Sequence, residues 1–163
     1  MSERFFGRVL DVAQGVVWRE ERKADREAVV FTNGCFDVLH AGHVAYLAWA
    51  REQGDALIVG LNTDESVRHI KGARRPLVPF EERARLLVAL RSVDVVVAFG
   101  ERTPETLLER IRPDVHVKSA QYREEELPER DVVLQYGGEI RLAPHVAGKS
   151  TTDTIARIIA RYA

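Results

Sequence analysis

The sequence predicts an α/β chain built on a five-stranded parallel sheet with helices on both faces. Three observations predict it. Continuously apolar runs at residues 28–31 and 56–61 have the composition of buried strands, and shorter strand-like segments follow at 93–99, 115–118 and 139–143. Segments of helical periodicity lie between them, and parallel neighbours need such crossovers. The connections are short, with no internal repeat or low-complexity linker, so residues 1–163 are expected to form a single domain.

Each element has its own signal. Phe5, Phe6, Val9, Leu10, Val12, Ala13, Val16 and Val17 recur at helical spacing, which predicts an N-terminal helix over 3–17 with a broad apolar face. Residues 20–27 read as a charged, solvated connection. The first strand, 28–31, breaks at Asn33-Gly34, and a helix follows over 43–52 with Gly54 as its stop. After the strand 56–61, Asn62 with Glu65 three residues on marks a helix start. Lys71-Gly72-Ala73-Arg74-Arg75-Pro76 reads as a basic loop, and the helix 80–91 turns Phe80, Ala84, Leu87 and Leu90 inward. Past the strand 93–99, Thr103-Pro104-Glu105 gives an N-cap, an N1 proline and an acidic first turn for a helix through Ile111. A fourth strand, 115–118, leads into a polar, irregular stretch over 119–131. A short helix over 130–136 stops at Gly137-Gly138, ahead of the fifth strand, 139–143. Ser150 caps a last helix carrying Ile155, Ile158 and Ile159.

Composition excludes several function classes. With 24 basic and 25 acidic residues, the chain has no broad electrostatic footprint for nucleic acid, so any anion site is local. The single cysteine, Cys35, excludes an internal disulfide and fits a reducing compartment. No apolar run approaches the roughly 20 residues of a membrane span. Glu3, Arg4, Arg8 and Asp11 interrupt the N-terminal apolar residues, which excludes a signal peptide. A cytoplasmic protein without a membrane partner is expected.

The chemistry concentrates where the first strand meets its helix. His40 and His43 sit at that junction, where unpaired backbone N–H groups and the helix dipole favour an anion. Gly34 and Gly42 keep the backbone clear for its approach. Two imidazoles there can donate hydrogen bonds to phosphate oxygens. A histidine pair three apart can also hold a metal or cap a helix, although no cysteine or third histidine nearby in sequence completes a zinc set. Parallel sheets bind ligands at the carboxyl ends of their strands. That rule gathers His40, His43, Asn62, Lys118 and the Ser150 region onto one edge.

Thr32-Asn33-Gly34-Cys35-Phe36-Asp37 followed by His40-Ala41-Gly42-His43 resembles the His-x-Gly-His nucleotidyltransferases, the cytidylyltransferase-like superfamily, and within it the heptose 1-phosphate adenylyltransferases. The likeness runs from about Trp18 to the C-terminus. It includes Lys71-Gly72-x-x-Arg75-Pro76 and, before the last helix, Gly148-Lys149-Ser150-Thr151-Thr152. It implies a Rossmann-like, doubly wound sheet on which an acceptor phosphate attacks the α-phosphorus of a nucleoside triphosphate. By resemblance His40, His43 and Lys71 are catalytic. Thr32, Asn33, Gly34, Cys35, Phe36, Gly42, Asn62, Arg75, Lys118, Ser150, Thr151 and Thr152 bind the nucleotide, and Asp37, Lys71 and Gln121 meet the acceptor.

Several of these residues keep a second reading. Asp37 is either an assisting carboxylate or a turn residue, and Ser150 either binds phosphate or caps a helix. Lys71 and Arg75 either close on phosphates or belong to a solvated loop, and Arg83 fits a salt-bridged helix face as well as a site. Cys35 packs near the nucleotide without acting as nucleophile. The resemblance further implies Mg²⁺ carried by the triphosphate, with no metal site of the protein's own. The substrates implied are ATP or another nucleoside triphosphate and a sugar 1-phosphate such as D-glycero-β-D-manno-heptose 1-phosphate. The sugar-kinase domain often fused ahead is absent, so a separate kinase is expected. A homodimer is permitted, through the apolar N-terminal helix, but not required. One departure bears on the acceptor: relatives read Val-Lys-Gly-Gly-Asp-Tyr where this chain has Val117-Lys118-Ser119-Ala120-Gln121-Tyr122, so that loop differs in shape. A CTP-dependent cytidylyltransferase acting on glycerol 3-phosphate or a similar alcohol phosphate is the alternative enzyme. A nucleotide-binding module without turnover is the alternative from another class.

Overall fold

The structure, a computed structural model, describes residues 7–144 and 150–162. Six parallel strands form one sheet in the order β1-β4-β3-β2-β5-β6: β1 (Arg8–Leu10), β2 (Val29–Gly34), β3 (Ala56–Asn62), β4 (Val95–Phe99), β5 (Val115–Ser119) and β6 (Glu139–Ala143). The helices between them are α1 (Val12–Ala24), α2 (Ala41–Arg51), α3 (Asp64–Lys71), α4 (Phe80–Val88), α5 (Glu105–Ile111), α6 (Arg130–Gln135) and α7 (Thr151–Tyr162).

The sheet has one strand more than predicted, and the extra strand, Arg8–Leu10, takes residues from the helix predicted over 3–17. Gly7 is the reason. A Cβ there would lie 2.5 Å from the Val93 carbonyl oxygen and 2.8 Å from that of Asp94, so only glycine lets the chain run against the sheet edge. Arg8 then donates its N–H to the Asp94 carbonyl at 2.9 Å, and Arg8–Leu10 pairs with Val95–Val97. The helix begins later, at a capping box the periodicity concealed. The Asp11 carboxylate accepts from Gln14 N–H at 2.8 Å, and the Gln14 side-chain oxygen accepts from Asp11 N–H at 3.0 Å. α1 therefore runs through most of the stretch read as a solvated connection. Phe5 and Phe6 lie outside the described residues.

The helix start placed at Asn62 also moves. β3 continues through Asn62, opposite Phe99, and Thr63 caps α3 instead, its hydroxyl accepting from Ser66 N–H at 3.3 Å. Helix α4 closes at Val88 rather than 91.

Strand alternation splits the core into two layers. Val30, Leu57, Val59, Leu61 and Val96 pack beneath Leu47 and Ala50 of α2 and Ala84 and Leu87 of α4. On the other face Val29, Phe31, Ile58, Val95 and Val97 pack against Trp18 of α1, Leu107, Leu108 and Ile111 of α5 and Val133 of α6. Helices cover both faces, which explains the unbroken apolar strand runs. Because β2 pairs with β3 on one side and β5 on the other, the chain reverses its winding beside the carboxyl end of β2. A crevice opens there.

Gly60 tests the tightness of this packing. A Cβ at Gly60 would lie 2.7 Å from Cζ of the fully buried Phe31. Gly60→Ala is expected to cost about 1–3 kcal/mol, read as a lower urea midpoint at unchanged m-value.

Candidate active site

The carboxyl ends of β2, β3 and β5 and the first turns of α2 and α7 enclose a cleft of about 700 Å³. His40 is the N-cap of α2, extended at φ −142°, and its Nδ1 accepts from His43 N–H at 3.3 Å. This cap brings the second imidazole over the first, and the rings stack with centroids 3.8 Å apart at 18°. Phe36 meets the His43 ring edge-on at 5.3 Å. Phe36 itself folds back at φ 43°, and Gly34 makes room for it, since a Cβ there would touch the phenyl ring at 3.0 Å. Burial, with a smaller contribution from His40, lowers the pKa of His43 from 6.5 to about 4. His43 is therefore a neutral imidazole at pH 7, and its buried Nδ1 meets no hydrogen-bond partner among the described residues.

The second motif arrives at the same cleft from 113 residues away. The Thr151 hydroxyl donates to the Val38 carbonyl at 3.4 Å, joining the start of α7 to the turn before α2. Ser150 caps α7, accepting from Asp153 N–H at 3.0 Å, and Ser150, Thr151 and Thr152 all line the cleft. Gly148 and Lys149 lie outside the described residues.

Three buried charge arrangements shape the walls. Fully buried Arg83 donates to the carbonyls of Cys35 (2.6 Å), Asn62 (2.9 Å) and Val78 (2.9 Å), and to the Asp64 carboxylate (2.6 Å). Asp37, also buried, pairs with Arg75 and accepts from Leu77 N–H at 2.7 Å and Val78 N–H at 2.9 Å. Glu129 is buried with its Oε1 3.0 Å from His116 Nε2 and 2.9 Å from Lys118 Nζ. Burial opposes the charge on Glu129, but the hydrogen bond from His116 and the charge of Lys118 prevail and hold its pKa at about 2. Burial holds His116 down in its neutral form, so its Nε2–H donates to an ionised Glu129.

Of the residues singled out in the sequence, His40, His43, Lys71, Asn33, Gly34, Cys35, Phe36, Asp37, Gly42, Asn62, Arg75, Lys118, Gln121, Ser150, Thr151 and Thr152 line this one cleft. Thr32 does not. It is fully buried, its hydroxyl donating to the Val117 carbonyl at 3.0 Å and meeting the Tyr46 hydroxyl at 2.7 Å, so its side chain braces the wall from behind. Arg75 and Asp37 hold each other, which favours the structural reading of both. Lys71 ends α3 rather than sitting within a loop, and Gly72 at φ 95° supplies the turn after it. Burial raises the Cys35 thiol pKa, against the pull of Lys71, Arg83 and Arg75, which keeps it a weak nucleophile.

The sequence reading missed His116, Glu129 and Arg102. A histidine inside an otherwise apolar covered strand was the available signal for the first, since buried polar groups need partners. Arg102 enters the cleft on the loop after β4, with nothing in its local sequence to mark it. As for a metal, no three His, Cys, Asp or Glu side chains converge among the described residues, and the buried carboxylates of Asp37 and Glu129 are taken. This donor set fits a metal ligated by substrate phosphates rather than by a protein cage. Among the described residues no helix is long and apolar enough to cross a membrane.

Comparison with known proteins identifies the family and the fold. Bifunctional protein HldE of Geobacter sulfurreducens is 50% identical over 153 residues, covering 94% of this chain and 31% of that protein. Bifunctional protein HldE of Alcanivorax borkumensis is 47% identical over 150 residues, covering 92% of this chain and 32% of that protein. The chain thus spans about a third of the length of the curated relatives it matches. A lipopolysaccharide core biosynthesis protein from Thermoplasma volcanium shares the fold at TM-score 0.61 and 23% identity, over 74% of this chain and 97% of that one. Pantoate-beta-alanine ligase from Francisella tularensis shares it at TM-score 0.58 and 13% identity, over 95% of this chain and 78% of that one. The Cytidylyltransferase-like family model matches residues 31–153, from the strand before the histidine pair to the first turn of α7, and the chain belongs to that family.

Proposed function

We propose that the protein is a nucleotidyltransferase that moves AMP from ATP onto a sugar 1-phosphate, with D-glycero-β-D-manno-heptose 1-phosphate as the acceptor. One observation carries this reading: the stacked histidine pair and the hydroxyl cluster at residues 150–152 line one cleft. Relatives about 50% identical over most of the chain support the choice within the family. In the reaction a phosphate oxygen of the acceptor bonds to the α-phosphorus in line, the bond to the bridging oxygen breaks, and pyrophosphate leaves. The attacking oxygen is already anionic, so no general base is needed. Catalysis is then a matter of position and preorganised donors.

The residues divide the work. The first turns of α2 and α7 present backbone N–H groups to the triphosphate. Neutral His43 contributes one N–H to a phosphate oxygen and His40 lies stacked against it, while the hydroxyls of Thr151 and Thr152 supply further donors. Lys71 and Arg102 add positive charge on the β3–β4 side of the cleft, where the acceptor phosphate is placed. Asn33 and Lys118 meet the nucleotide on the β5 side, with Gln121 at the rim. Mg²⁺ enters as part of the triphosphate and offsets charge on its oxygens. A cytoplasmic setting is proposed from the lone, thiol-form cysteine, and a sugar kinase would supply the acceptor.

Pyrophosphate release separates the readings. ATP with the heptose 1-phosphate is expected to give turnover; turnover with CTP and glycerol 3-phosphate instead would identify a cytidylyltransferase, and ATP binding without turnover on either acceptor a non-catalytic module. His40→Ala is expected to fold while losing about 10²–10³ in kcat, and full activity in that variant would remove the histidine pair from the mechanism.

The His43 imidazole should titrate near 4 by NMR, against an ordinary value of 6.5. Between those values the unfolded chain holds the extra proton, so acid weakens the fold as pH falls from 6.5 to 4. His43→Asn should make that part of the stability profile shallower without flattening it, because buried His116 is also held neutral.

A further inference from the structure

We propose that Glu129 is a positioning residue for this site, its carboxylate tethering the Lys118 ammonium at the cleft where that lysine meets the nucleotide phosphates. The inference rests on the nucleotidyltransferase reading and extends it to a residue that does not itself touch substrate.

The arrangement is built from strand geometry. His116 and Lys118 are two apart on β5, so both side chains leave the same face of the sheet. Glu129, immediately before α6, receives both on one oxygen, Oε1, at 3.0 Å and 2.9 Å. Asn33 Oδ1 takes a second N–H of the ammonium at 3.2 Å, and the Tyr122 ring lies 5.4 Å from it. Lysine has three ammonium N–H groups. Two are engaged by these oxygens, and the third can go to a phosphate oxygen without breaking the tether.

Packing alone does not call for a carboxylate here. A buried charge is costly unless it is paired, and an apolar side chain of similar size would fill the space with less penalty. The ion pair does supply a fixed lysine. The four-carbon stem of a free lysine must be ordered when an anion binds, and the tether does that ordering beforehand. His116, buried and neutral, donates to the same oxygen and fixes the carboxylate in turn. The chain of support runs from the strand interior to the cleft: His116, Glu129, Lys118.

The test is a double-mutant cycle on the intact chain: wild type, Glu129→Gln, Lys118→Met and the pair. ATP affinity is read by calorimetry, and KM and kcat by pyrophosphate release. Glu129→Gln should weaken ATP binding and raise its KM about fivefold while kcat changes less than about twofold. Lys118→Met should weaken binding at least as much, and the double variant no further than Lys118→Met alone. Additive losses in the double variant would overturn the proposal, because Glu129 would then act independently of the lysine. So would an unchanged affinity in Glu129→Gln beside a weakened Lys118→Met. If Lys118→Met also binds ATP normally, the tether has no function and the proposal fails, whereas the transferase reading fails only if wild type releases no pyrophosphate. Should Glu129→Gln not fold, Glu129→Asp carries the same comparison, keeping the charge but withdrawing it by one methylene.

Discussion

The guanidinium of Arg83 holds together the strand ends from which the cleft is made. Parallel strands finish with carbonyl groups that no longer have ladder partners, and here two of those carbonyls, on Cys35 and Asn62, converge on one buried cation. A third carbonyl, on Val78, and the carboxylate of Asp64 complete its surroundings. A planar fork with five donors suits this role better than an ammonium would, because it can satisfy four acceptors at fixed angles. Removing it would leave buried acceptors unpaired at the point where the first turn departs from the sheet. The geometry of residues 35–43, including the stacked imidazoles, stands on that clamp.

A second consequence concerns charge. Among the described residues four cationic side chains line the cleft, but Arg75 is paired with Asp37 and Lys118 with Glu129. Among the described residues, positive potential for a polyphosphate therefore also draws on the first turns of α2 and α7 and on Lys71 and Arg102. Dipoles and neutral donors held in place need no reorganisation as charge develops. The low pKa of His43 belongs to the same design, for a buried imidazole beside another imidazole is kept neutral, and in the proposed reaction it serves as a directed donor rather than as a mobile charge.

The segment after Lys118 is shaped by β6. Ala120 N–H donates to the Ala143 carbonyl at 2.8 Å, so the backbone after Lys118 continues along β6 for one more residue. Tyr122 N–H then turns back to the Ser119 carbonyl at 3.0 Å. Ser119 and Gln121 line the cleft there, beside Lys118 and its buried carboxylate.

Most of the fold was legible in the residues. β2, β3 and β4 carry covered apolar runs and β5 and β6 follow helices in the repeating pattern, so five of the six announced themselves, and the cap at Ser150 is local; β2, however, runs on through Asn33 and Gly34, where a break was expected. The histidine pair could be named from its place at a strand-to-helix junction, whereas Lys71 and the hydroxyl cluster were named through the motifs that carry the family resemblance. What the sequence could not decide depends on groups far apart along it. β1 forms because Gly7 lets the backbone press against Val93 and Asp94, a contact that competes with helical periodicity and wins through ladder hydrogen bonds. Arg75 turned inward because Asp37, 38 residues earlier, was waiting with a buried carboxylate. Thr32 faces the core because Val117 offers its carbonyl there. Glu129 became an ionised side chain in the interior only when β5 brought His116 and Lys118 to it. Desolvation and ion pairing are properties of assembled surfaces, and only the tertiary structure assembles them.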